Sequence, residues 1–99
     1  MLFRSPAAAR SAALDAMKQE HEENAKSITH PVLQDVFHCA GVVRAEHFEL
    51  ACYDAAIGLA RDLGQSECAD LLQRNRDEDE QALEEAQKLA DTLRSDLHR

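Results

Sequence analysis

The sequence predicts an all-α chain in which two long helices form an antiparallel hairpin behind a short N-terminal helix. Three observations predict it. Hydrophobic residues make up 44% of the chain but aromatic residues only 4%, with no Trp, three Gly and two Pro. The remainder is rich in the strong helix formers Ala, Leu, Glu and Gln. Two apolar series recur at helical spacing: Val36, Cys39, Val43, Leu50, Tyr53, Ile57 and Ala60, then Cys68, Leu71, Leu72, Ala82, Ala86, Leu89 and Leu93. Between them stand Gly64, suited to ending a helix, and Ser66, suited to starting one. A chain of 99 residues has room for one small domain, residues 1–99.

The first helix is expected from about Pro6 to Lys26, with Ser5 as N-cap and Pro6 at the first helical position. Its apolar face is thin, Leu14, Met17 and Ala25, so residues 1–30 read as a short helix and connector. The second helix, residues 31–63, opens with Pro31 at its first position, capped by Thr29 or His30, and ends at Gly64. The third, residues 66–97, follows Ser66 as N-cap with Glu67 in its first turn. Each long helix spans about 45–50 Å at roughly 1.5 Å per residue. The polar first helix is too short to cover both apolar stripes. A partner is therefore expected, most simply a second copy, giving a homodimer or higher homo-oligomer in which paired hairpins make a four-helix bundle.

Charge and motif content narrow the function classes. A formal net charge of −8 disfavours nucleic acid and anionic membranes as partners, because phosphates would be repelled. No stretch approaches the ~20 apolar residues that cross a bilayer, and the expected location is cytoplasmic. Cys39, Cys52 and Cys68 are odd in number, lack CxxC spacing and read as small buried residues in a reducing compartment. Hydrolase, nucleotide-binding and zinc-finger readings lack their residues: there is no G-x-S-x-G, phosphate-cradling Gly loop or Cys/His zinc spacing.

The informative residues are acids inside the apolar pattern. Glu46 falls in the gap between Val43 and Leu50, and Glu49 follows one turn later. A second cluster, Asp77-Glu78-Asp79-Glu80, interrupts the other apolar series. With a reversal at Gly64, Glu49 lies fifteen residues before the turn and Glu78 fourteen after it, so the hairpin brings the clusters level. The stripe through Leu71, Glu78 and Ala82 selects Glu78 as the inward acid of the second cluster. Facing carboxylates in a helical core are costly unless a cation, a proton or a basic partner compensates them, and a metal site is the natural expectation.

The run Arg44-Ala45-Glu46-His47-Phe48-Glu49-Leu50-Ala51-Cys52-Tyr53, then Ala60 to Leu63 before Gly64, Leu71-Leu72-Gln73 and Asp77-Glu78-Asp79, resembles the C-terminal half of the YciE/YciF-like branch of the ferritin-like superfamily. The resemblance covers about Ala16 to Leu93. Full-length members carry two further N-terminal helices with their own Glu and His-x-x-Glu ligands, and this chain has no equivalent of them. The resemblance implies a carboxylate-bridged di-iron or di-manganese centre inside the bundle. It places Glu46 and Glu49 as the two glutamates of the first motif and Glu78 as the first acid of the final pair. Asp79 stands where the family has a second Glu, and His47 matches the family's His; both carry less weight, Asp79 for its shorter side chain and His47 for its rotation of about 100° from Glu46. A homodimer would supply the three glutamates twice and replace the missing half of the ligand set, and such a centre could oxidise Fe²⁺ with oxygen or peroxide in a stress response.

The competing expectation is a helical dimerisation or stress-response module without metal, in which the acids are protonated, hydrated or paired with Arg44 or Arg76. Among the remaining polar residues, Tyr53 could hydrogen-bond a ligand carboxylate or serve as a core Tyr. His21, on a stripe with Leu14, Met17 and Ile28, reads as a packed or capping histidine, and His30, His38 and His98 have no carboxylate at ligand spacing.

Overall fold

The reversal between the long helices takes three residues, Leu63 to Gln65, centred on Gly64. The computed structural model describes residues 11–98, with α1 at Ala12–Ala25, α2 at Pro31–Asp62 and α3 at Ser66–Asp96. Gly64 has φ +71, the only positive φ among the described residues, a conformation that costs a side-chain-bearing residue. The Gln65 N–H donates to Ala60 O at 2.8 Å and the Gly64 N–H to Arg61 O at 3.0 Å, satisfying the last carbonyls of α2 in the manner of a Schellman turn. Ser66, expected as the N-cap, is itself the first residue of α3, and Gln65 occupies the cap without a side-chain bond.

The other ends follow their capping chemistry. Pro31 opens α2 behind His30, whose Nδ1 accepts from the N–H groups of Val32 at 3.2 Å and Leu33 at 3.4 Å. Ser11 caps α1, its hydroxyl accepting from Leu14 N–H at 3.2 Å. The expected start at Ser5 and Pro6 lies outside the described residues.

The hairpin core is a seam in which covered positions alternate by three and four. On α2 these are Val32, Val36, Cys39, Val43, Glu46, Leu50, Tyr53, Ile57 and Ala60. On α3 they are Ala69, Leu72, Arg76, Asp79, Leu83, Ala86, Ala90 and Leu93. Such alternation keeps one stripe facing the partner helix along its whole length. It corrects the expected stripe on α3, because Cys68, Leu71, Ala82 and Leu89 are exposed and their neighbours one residue on are covered. Ala69 and Ala90, small enough to let the backbones near one another, are buried with Leu83, and Leu71 and Leu89 lie on the outer stripe. Of the three cysteines, all free, only Cys39 is buried; Cys52 and Cys68 are exposed, since each lies off the seam.

Helix α1 lies across the back of α2. The His21 ring stacks on Phe37 with centroids 4.4 Å apart and planes 7° from parallel, and its Nε2 is 2.8 Å from His38 Nδ1. Gly41 makes room for that ring, since a Cβ there would lie 2.6 Å from it. Arg44 pairs with Glu20 at 2.8 Å. The described residues form a slab of 53 × 25 × 17 Å. No large side chain among them is fully buried, and no helix is long and apolar enough to cross a membrane.

Candidate metal centre

The hairpin brings the two acidic clusters level and selects three of their members. Carboxylate oxygens of Glu46, Glu49 and Asp79 lie within 4.8 Å of one another, each residue half-buried. The seam explains the selection. Glu46 on α2 and Asp79 on α3 both occupy covered positions of the three-four alternation, and Glu49 stands one turn beyond Glu46 on its flank.

This placement differs from the expected one at two positions. Asp79, given less weight for its short side chain, joins the cluster, whereas Glu78 is exposed. One residue is a rotation of about 100° on a helix, and the stripe through Leu71 and Ala82 that points to Glu78 lies in solvent. The signal that would have found Asp79 is the series Ala69, Leu72, Leu83, Ala86, Ala90 and Leu93, whose spacing runs through 76 and 79. His47 is also exposed and stands outside the cluster, as its rotation from Glu46 requires. The cluster is thus built of oxygen donors.

Its electrostatics are those of a site short of positive charge. Burial, then the Asp79 carboxylate, raises the pKa of Glu46. Glu49 is raised from 4.5 to about 7 by burial, by hydrogen bonding with Asp79, and by the charges of Asp79 and Glu46. Tyr53, covered in the seam one turn past Glu49, is raised by burial and then by Asp79, Glu49, Glu78 and Glu46. Two oxygens, Glu46 Oε2 and Asp79 Oδ2, are buried with no hydrogen-bond partner. Buried polar atoms are nearly always partnered, so orphaned carboxylate oxygens mark a place where a cation or proton belongs.

The nearby arginines do not fill that place. Arg44 is engaged with Glu20 across the α1–α2 contact. Arg76, although on the seam, turns outward to Asp54 at 2.5 Å and Glu80 at 2.6 Å. A hard divalent cation fits the three carboxylates by chemistry, since anionic oxygen is the donor such ions prefer.

No curated protein and no solved structure matches the chain. A family model does, over residues 2–96, described as a domain of unknown function, DUF892. The seam, the hairpin and the helical composition agree with that family's ferritin-like fold, and the chain belongs to the DUF892 family.

Proposed function

We propose that this protein is a ferritin-like metal-binding protein of the YciE/YciF-like branch. Its carboxylate-bridged iron or manganese site, dinuclear when complete, is held by Glu46, Glu49 and Asp79 and completed by a second copy of the chain. The observation that carries this reading is the pair of buried, partnerless oxygens on Glu46 and Asp79, facing each other across a seam otherwise built for packing. The resemblance of the Glu46 to Tyr53 motif supports iron or manganese over other hard cations. When bound, such a centre supplies one-electron redox chemistry and charge compensation, suited to oxidising Fe²⁺ with dioxygen or peroxide. The chain's own residues contribute the rest. Leu50 and Leu83, both buried, hold the acids' helices at fixed separation, and Tyr53 stands where its hydroxyl can donate to a ligand carboxylate.

Elemental analysis of protein purified without chelator, followed by calorimetric titration of the metal-free form with Mn²⁺ or anaerobic Fe²⁺, tests the proposal. Saturable uptake that Glu46→Gln removes supports it; a protein that takes up neither ion refutes it. A second reading has one specific observation in its favour. Because the Glu49 and Asp79 carboxylates lie within 4.8 Å of each other and burial and that neighbour push the Glu49 pKa up to about 7, a shared proton can compensate the cluster without metal, and refutation of the metal reading would assign the chain to the class of helical dimerisation modules.

A further inference from the structure

Helix α1 is held to α2 by little. Of its 14 residues only Ala25 is buried, and a helix of that length has marginal stability once it leaves its neighbour. Its ion pair, Arg44 with Glu20, joins two side chains that are more than half exposed, an arrangement that contributes little. The most specific contact is a ring cluster. His21 stacks on Phe37 and places its Nε2 2.8 Å from Nδ1 of His38. Gly41 receives the same ring, since a Cβ there would lie 2.6 Å from its Cε1 and Nδ1. The imidazole is thus seated between Phe37 and bare backbone, with its Nε2 edge aimed at His38.

Two ring nitrogens at that distance need one hydrogen between them. When both rings are neutral, one donates and the other accepts. One added proton can sit on the far nitrogen of the donor ring and leave the bond intact. A second puts N–H groups on both facing nitrogens, with no acceptor between them and two like charges in contact. The charged groups that line the groove around the rings are Lys18 and Glu20 of α1 and Arg44 and Glu49 of α2, and α3 contributes none to it. Glu20 is engaged by Arg44 and Glu49 belongs to the acidic cluster, so neither neutralises the rings. Lys18, one turn before His21, adds positive charge, and Asp35, one turn before His38, is exposed.

We infer that the His21–His38 pair is a pH-sensitive latch, which holds α1 against α2 while one hydrogen is shared between the rings and releases it when both rings are protonated. His38 is exposed and His21 half-buried, so protons reach the pair from solvent without prior opening. The released state binds more protons than the docked one, and acid therefore favours release. That sign is opposite to the sign at the acidic cluster, where Glu49 binds its proton more tightly in the folded chain and acid favours the hairpin. Release uncovers the face of α2 that carries Phe37, Gly41 and Ala45 and opens the groove whose lining includes Glu49. The latch stands on the contact between α1 and α2 alone and requires no bound metal.

Hydrogen–deuterium exchange of the full chain in EDTA, near pH 7.5 and near pH 5 with rates corrected for the intrinsic pH dependence, tests the latch. The α1 amides of the parent chain are expected to lose protection by about fivefold or more on acidification, while those of the seam between α2 and α3 keep or gain theirs. The variant H38Q supplies a carbonyl that accepts from His21 whether or not that ring is charged, so its α1 is expected to stay protected at both pH values. The variant G41A fills the seat of His21 and is expected to release α1 at both, which sets the scale. Equal α1 protection of the parent chain at the two pH values would overturn the inference, as would a loss that H38Q shares in full, since another group would then be titrating. If H38Q releases α1 near pH 7.5 as well, the ring signals of His21 and His38 in the parent chain, followed by NMR, decide: release with both rings charged supports the latch, and release while either stays neutral overturns it.

Discussion

Arg76 and Asp79 occupy successive seam positions of α3, and each brings charge into a stripe otherwise built of Leu and Ala. At Arg76 the chain solves the problem by itself. The guanidinium reaches the solvent edge on its long aliphatic stem, pairs with Asp54 and Glu80, and retains 24% side-chain exposure. At Asp79 the residue is half-buried, its neighbours Glu46 and Glu49 have the same sign, and one oxygen each of Asp79 and Glu46 is buried without a partner. A charged residue in a helical seam is thus ordinary when its counter-charge is encoded nearby. It is informative when three like charges converge without one, because the stability cost then has a use only if something from outside compensates it.

The largest expected difference between the two levels is in metal content. Asp79→Ala and Glu46→Ala are each expected to lose most of the Mn²⁺ or Fe²⁺ that the parent protein binds, while Glu80→Ala, which breaks the Arg76 network, and Glu84→Ala on the exposed face retain it. Elemental analysis after loading and desalting measures this. Full occupancy in Asp79→Ala would mean that Asp79 is no ligand.

The next effect is on stability in the absence of metal. Glu46→Leu replaces an uncompensated, half-buried acid with packing and is expected to raise the unfolding free energy by on the order of 1 kcal/mol in chelator, the low end for such exchanges because the site is only partly desolvated. Arg76→Leu is expected to move the other way, since it strands Asp54 and Glu80. Urea denaturation of both variants in EDTA gives the signs, and the same sign for both would contradict the comparison.

The third contrast is in pH dependence. Glu49 binds its proton more tightly when folded, with a pKa of about 7 against 4.5, so between these values the folded state holds more protons than the unfolded one. Metal-free stability is therefore expected to be greatest on the acid side and to decline as pH rises from about 4.5 to 7, levelling off above. Proton competition for metal occupies the same window, so uptake should strengthen as pH rises through it. Glu49→Gln is expected to flatten the stability profile, and thermal melts at closely spaced pH values in EDTA would show whether it does.

The smallest effects are expected at the thiols. Cys52→Ser, on an exposed position, should change stability by less than about 0.5 kcal/mol, and Cys39→Ser, buried in the seam, should cost about 1 kcal/mol for its unpaired hydroxyl. Neither should alter metal content. Loss of metal with either thiol would place the site elsewhere on the chain.

Local chemistry made much of this legible beforehand. Pro31 after His30 and the glycine at 64 set the ends of α2 within a residue, because caps and positive φ are properties of a few neighbouring atoms. The level at which the acids meet followed from counting outward from Gly64, since an antiparallel hairpin fixes height by arithmetic. The phase of α3 did not follow. Leu71 and Leu72 offer two stripes a residue apart, one through Cys68, Leu71, Ala82 and Leu89 and one through Ala69, Leu72, Leu83, Ala86, Ala90 and Leu93, and both recur at helical spacing. Which stripe faces α2 depends on how closely two backbones can approach, and Ala69 and Ala90 decide that only when both helices are present together. Hence Glu46 and Glu49 could be named from the sequence, whereas the choice of Asp79 over Glu78, the outward turn of Arg76 and the Gly41 notch for His21 were decided by tertiary packing, because rotation about a helix axis is set by its neighbour and by no residue of its own.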